Sequence, residues 1–127
     1  MPAPHLFEYA VIRAVPRVER GEFINVGVVL YCASLKFLGM RFQLDEKRLR
    51  EFSPALDVPS LREYLSAYEQ VCAGGNAAGP IGRLPVAERF RWLTATRSTI
   101  LQTSPVHTGL CDDPNEKLEQ IFCTLVE

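Results

Sequence analysis

Apolar and polar positions change their period several times along the chain, and each change marks an element. From Leu6 to Val15 the segment LFEYAVIRAV sets aromatic and β-branched residues in near alternation and stops at Pro16, which predicts a strand. A polar connection, PRVERGE, leads to the long apolar run FINVGVVLYC, a second predicted strand, and after a break at Ala33 and Ser34 the alternating KFLGMRFQ predicts a third. Connections this short favour an antiparallel meander, because parallel neighbours need a long crossover.

After Gln43 the period becomes helical. Asp45 is placed to cap a short helix with Leu49 and Phe52 on one face, ended by Pro54. Leu61, Leu65, Tyr68 and Cys72 form the stripe of a longer helix, widened by Tyr64 and Val71, with Ser60 and Glu63 as a capping box, Asp57 as a competing start and Gly74 and Gly75 as the stop. GGNAAGPIGRLP is rich in glycine and proline and reads as the main irregular connection. One or two helical turns follow from Pro85, with Phe90 and Leu93 facing inward. STILQTSPV is β-rich and reaches Pro105, so it is expected to be a strand at an edge or one that ends there. At the C-terminus Asp113, Pro114 and Glu116 fit N-cap, first and third helical positions, and Leu118, Ile121, Phe122 and Leu125 make an apolar stripe.

These elements add up to an α+β fold: a small antiparallel sheet, made of a three-stranded meander plus a late strand near 98–105, with helices covering one face. Length sharpens the picture, since 127 residues make one domain, 1–127, large enough to bury a core. The hydrophobic share of 47% and charged share of 23% are those of an ordinary soluble domain. A net charge of −1 supplies no global field to capture nucleic acid or an anionic membrane. No apolar run is long enough to span a bilayer and no charged-then-apolar leader is seen, so the expected compartment is cytoplasmic. Cys32, Cys72, Cys111 and Cys123 form no CxxC pair and, with only His5 and His107 beside them, no recognisable metal spacing; they are expected to be reduced and mostly buried as small hydrophobes. No metal and no cofactor is implied.

The candidate chemistry is sparse. In a regular strand Ile24, Val26, Val28 and Leu30 share one face and Phe23, Asn25, Gly27, Val29 and Tyr31 the other. A strand glycine marks a bulge or a close approach, and a buried asparagine needs partners for its amide. Asn25 and Gly27 therefore either serve the backbone, Asn25 holding the preceding loop and Gly27 admitting a helix, or floor a polar ligand site. Arg20, Glu22 and Asn25 are expected to bond inward to ERFRW and RSTILQ. Gln102 and Ser104 share a face of the late strand, with His107 beyond Pro105. A hydrolytic use of Ser104 and His107 lacks a nucleophile elbow and an acid. Arg89, Arg91 and Arg97 surround Phe90 and Trp92, the nearest approach to a basic and aromatic patch.

Taken together, RGEFINVGVVLY, ERFRWL and RSTILQTSPVHTGL followed by DDP resemble an uncharacterised bacterial family known as domain of unknown function 3037. The resemblance runs from the strand with Tyr9 to the last helix. It implies a small cytoplasmic bacterial protein and carries no catalytic residues across; members commonly sit beside genes for kinases similar to the HipA type, which implies a protein partner. The expectation is an interaction or regulatory module without enzymatic activity, an accessory partner of a HipA-like kinase. The alternatives are a phosphate- or nucleotide-binding domain or enzyme using a polar sheet face, and nucleic-acid binding through the Arg/Trp segment.

Overall fold

The structure, a computed structural model, describes residues 4–127. Strands β1 (His5–Ala14), β2 (Ile24–Cys32) and β3 (Phe37–Phe42) form the expected antiparallel meander. A turn in which the Lys36 N–H donates to the Ala33 carbonyl (3.1 Å) joins β2 to β3. The late segment holds two strands, β4 (Leu101–Thr103) and β5 (His107–Cys111), and both pair antiparallel with the free edge of β1. The late strand thus starts at Leu101, not Ser98, and a fifth strand resumes beyond the proline. The sheet order is β3-β2-β1-β4, with β5 alongside the other half of β1.

Pro105 explains the break. Three residues, Ser104 to Val106, stand opposite two, Ala10 and Val11, and proline has no N–H to give the ladder. Ser104 repairs it. Its N–H donates to the Val11 carbonyl (2.8 Å), while its Oγ accepts from the Val11 N–H (2.8 Å) and donates to the Pro105 carbonyl (2.9 Å). Only 3% of Ser104 is exposed, so an unpaired Val11 N–H there would stay unpaired.

The helices are α1 (Glu46–Phe52), α2 (Val58–Ala73), α3 (Gly79–Gly82), α4 (Val86–Thr94) and α5 (Pro114–Leu125). Side-chain caps start three of them. Asp45 accepts from the Arg48 N–H, Asp57 from the Ser60 N–H and hydroxyl, and Asp113 from the N–H groups of Asn115 and Glu116. Asp57, not Ser60, is therefore the cap of α2. The glycine-rich connection contains a 3-10 turn at Asn76–Ala78 and the single turn of α3, and the Gly75 N–H closes it on the Gly82 carbonyl (2.9 Å).

Helices cover both faces of the sheet, where one was expected. On one face Ala10, Ile12, Ala14 and Val29 pack with Leu61, Leu65 and Tyr68 of α2 and Phe90 and Leu93 of α4. On the other, Phe7, Val28, Leu30 and Cys32 pack with Leu118 and Phe122 of α5. Strand β2 can serve two cores because its even positions beyond Gly27 turn to α5 and its odd ones to α2 and α4.

That alternation fails near the start of β2. Ile12 pairs with Gly27 and Arg13 with Asn25, so Val26 is the extra residue of a β-bulge. The bulge sends Ile24 and Val26 to the α2/α4 core, while Val28 and Leu30 face α5. Asn25 and Gly27 therefore lie on opposite faces, correcting the regular-strand expectation. Gly27 admits the neighbouring strand rather than a helix: a Cβ there would lie 2.6 Å from the Arg41 carbonyl oxygen and 2.9 Å from the Phe42 Cβ.

Candidate functional site

The stretch RGEFINV runs along the edge of a groove whose other wall is α1. Its geometry starts with a 3-10 turn, Val18–Arg20, closed by Gly21 in the left-handed region (φ 69°). That turn brings Arg20 back to pair with Glu22, both side chains more than half exposed. One residue on, Phe23 lies under the Arg13 guanidinium, whose central carbon is 3.9 Å from the ring centroid. The bulge then aims Asn25 at the end of α5, where its Nδ2 donates to the Leu125 carbonyl (3.1 Å), and from α1 Arg48 Nη1 donates to the Val126 carbonyl (2.8 Å). These two side chains satisfy carbonyls that the last helical turn leaves open.

Two hollows lie along this groove. One, about 390 Å³, is lined by Ile24, Asn25 and Val26 on one wall and by Asp45, Arg48 and Leu49 on the other, with Gln43, Val126 and Glu127 around them. The other, about 340 Å³, is lined by Pro16, Arg17, Arg20 and Glu22 facing Phe52, Ser53, Pro54 and Ala55. Both are walled by parts of the same two segments, the first at the start of α1 and the second at its end. Polar atoms make up more of each lining than apolar ones, and Phe52 stands 37% exposed at the second hollow.

Of the candidate residues, the groove gathers Arg20, Glu22 and Asn25. They do not bond to residues 88–92 or 97–102 as expected; Arg20 and Glu22 bond to each other and Asn25 to α5. The remaining candidates lie apart. Arg89 donates from Nε to the Leu84 carbonyl (3.0 Å) and from Nη1 to those of Val71 (3.0 Å) and Cys72 (2.8 Å), closing the C-terminus of α2. Arg97 does the same for α4, donating to the carbonyls of Trp92, Leu93 and Ala95 while its guanidinium lies over Trp92 and Tyr68. Arg91 is exposed. Gln102 donates to the Thr99 carbonyl (3.1 Å), Ser104 repairs the β1 ladder, and His107 stacks on Tyr9 at the outer strand with centroids 5.3 Å apart.

The asparagine keeps one open valence. Asn25 Oδ1 and Arg13 Nε are buried without a hydrogen-bond partner among the described residues, and they belong to directly paired residues, an acceptor and a donor facing the same side of the sheet. Such groups cost about 1–3 kcal/mol each when left unpaired.

Thiol chemistry has little opportunity. Cys32, Cys72 and Cys111 are buried and Cys123 is exposed. Burial pushes the Cys72 thiol up to about 11, against a smaller opposing pull from Arg89, and its S–H faces the Leu38 carbonyl at 3.7 Å. Burial, and then the neighbouring Cys32, raises Cys111 also. Those two cysteines flank β1 on β2 and β5, so their Cα atoms stand about two strand spacings apart, roughly 9–10 Å, beyond the ~7 Å limit for a disulfide. His5 Nδ1, the exposed Ser34 Oγ (2.9 Å) and the Cys32 sulfur (3.7 Å from Ser34 Oγ) form a chain whose thiol end is fully buried. Among the described residues no group of three or more His, Cys, Asp or Glu could hold a metal ion, and no helix is long and apolar enough to cross a membrane.

Arg17, Arg48 and Phe52 belong to the groove; sequence reasoning placed Phe52 beside Leu49 on one face of α1 and named none of the three as a site candidate. The available signal was Phe52 at the end of a seven-residue helix that needs only Leu49 inside.

An α+β domain with a charged-rim groove and a scattered set of polar side chains defines an architecture rather than a chemistry. The chain matches the family model described as "Protein of unknown function (DUF3037)" over residues 9–126, nearly its whole length, and it belongs to that family. No curated protein and no solved structure matches it.

Proposed function

We propose that the protein is a non-enzymatic interaction module and that the groove between α1 and residues 16–26 receives a segment of a partner protein. The observation that carries this reading is the pair of hollows at the two ends of α1, each also walled by residues within 16–26, an arrangement that suits a chain segment better than a compact substrate. The scatter of Arg89, Arg97, Ser104 and His107 away from the groove supports it as well, since no nucleophile, base and anion-holding group converge. The partner to test first is a HipA-like kinase encoded beside the family's members. Co-expression of the two chains followed by size-exclusion chromatography is expected to give one co-eluting peak, and Phe52→Asp to split it. Separate elution of both wild-type chains would remove the kinase from the reading.

A second reading draws on Arg17, Arg20 and Ser53 around one hollow, a set able to hold a phosphate group. Titration with inorganic phosphate and ATP, followed by the amide shifts of residues 17–22 and 53, tests it; unchanged shifts at millimolar ligand exclude it. With Arg89 and Arg97 engaged on carbonyls, nucleic-acid binding through their segment has less support.

A further inference from the structure

The two hollows carry opposite charge. Around the hollow at Asn25 two exposed carboxylates, Asp45 and Glu127, stand against one guanidinium, Arg48, which already donates to the Val126 carbonyl. Around the other, two guanidiniums, Arg17 and Arg20, stand against one carboxylate, Glu22, which is paired to Arg20. Arg17 has no acidic partner within 4.0 Å among the described residues. The excess at each end is one charge, negative at the start of α1 and positive at its end.

The two hollows meet α1 at its opposite ends. From the N-cap Asp45 to the C-cap Ser53 is eight residues, about 12 Å at the helical rise. An extended chain advances about 3.3 Å per residue, so a partner segment spans the two hollows with side chains about four positions apart. Positions of even separation in an extended chain project to the same side, so both side chains face the groove.

We propose that the groove recognises an extended protein segment bearing one acidic and one basic residue about four positions apart, the acid at Arg17 and the base between Glu127 and Asp45. This rests on the reading of the groove as a partner-binding surface and adds the class of segment it selects. Between the charges, Ile24 at one end and Pro16, Phe52 and Pro54 at the other offer apolar contact to the intervening side chain. Complementary charge of this kind sets the choice of partner and the association rate more than the affinity.

The test uses the full chain and three end-capped peptides: Asp-Gly-Leu-Gly-Lys, Asp-Gly-Leu-Gly-Asp and Lys-Gly-Leu-Gly-Lys. Amide shifts of the labelled protein are followed to millimolar peptide, at low salt and at 0.5 M salt. The mixed peptide is expected to move residues 17–22 and 43–49 together, with each like-charged peptide about two- to five-fold weaker, the range of one exposed ion pair. Salt is expected to narrow the difference. Arg17→Glu is expected to reverse the preference in favour of the dibasic peptide, and Glu127→Lys to narrow the advantage of the mixed peptide over the diacidic one; both positions are exposed, so neither change threatens the fold. Equal binding of all three peptides, no binding of any, or preferences unmoved by the two substitutions would overturn the proposal. A partner complex that Phe52→Asp disrupts, alongside peptides that fail to bind, would overturn this inference alone; peptides that bind as expected with no kinase complex would remove only the kinase.

Discussion

Gly27 and Asn25 are two residues apart and do unlike work. Glycine at 27 is required because the β3 backbone passes where a Cβ would stand, and backbone cannot swing aside as a side chain can. Gly27→Ala is expected to cost about 1–3 kcal/mol, the usual range for an overpacked site. Asn25→Ala removes one hydrogen bond to the Leu125 carbonyl but also an unpartnered buried oxygen, so its net cost is expected to stay near 1 kcal/mol or below. Urea unfolding of both variants checks the order; an Asn25→Ala that costs more than Gly27→Ala would contradict it. The polar intrusions were visible in the chain, but their relation was not. A bulge at Val26 leaves no mark in an apolar run, because Val26 suits either face, and one inserted residue reverses every side assignment before it.

Cys72 makes the fold sensitive to alkali. Its thiol is raised in the folded state, so the folded chain holds the proton that the unfolded chain gives up, and stability falls as pH rises from about 9 to about 11. Two units correspond to at most about 3 kcal/mol. Cys111 is shifted the same way by burial and adds to the trend. Cys72→Ala is expected to flatten the decline in denaturation midpoints over this range; an unchanged decline would contradict the assignment. A maleimide probe near neutral pH is expected to modify Cys123 in the native protein and all four cysteines after unfolding.

At the level of elements, arginine and serine side chains complete backbone hydrogen bonding. Arg89 closes two carbonyls at the end of α2 and a third at Leu84, and Arg91, two positions on, is exposed. Arg89→Met is expected to cost about 2 kcal/mol or more and Arg91→Ala less than about 0.5, by thermal or chemical denaturation. Equal costs would show that Arg89 is not a cap. Ser104→Ala leaves the buried Val11 N–H without an acceptor and is expected to cost about 1–3 kcal/mol, with faster hydrogen exchange at Val11 as its local signature. These roles also show the limits of sequence reading. ERFRW carries the same residue types whether its arginines cap helices or bind a phosphate; only the proximity of α2, about seventeen residues earlier in the chain, decides. Asp45 and Asp113 were legible as caps because a cap acts within three residues, whereas β5 was hidden behind Pro105, where the ladder breaks and a serine hydroxyl accepts from the Val11 N–H across the sheet.

For the whole molecule, the meander, the main helices and the α+β class followed from periodicity, which records what each segment buries. The second covered face did not, because an amphipathic helix such as α5 declares an apolar stripe without saying which side of a sheet receives it. The groove was half legible: RGEFIN drew attention through its polar residues, while its opposite wall on α1 looked like an ordinary short helix. The central claim is that this groove holds a partner segment. Hydrogen exchange of the protein with and without a co-purified HipA-like kinase tests it most directly, since burial slows exchange where the partner lies. Slowed exchange confined to residues 16–26 and 45–55, and abolished by Phe52→Asp, is the result predicted. Slowing centred elsewhere, on the β5 edge or the exposed face of α4, with the groove unchanged, would contradict it.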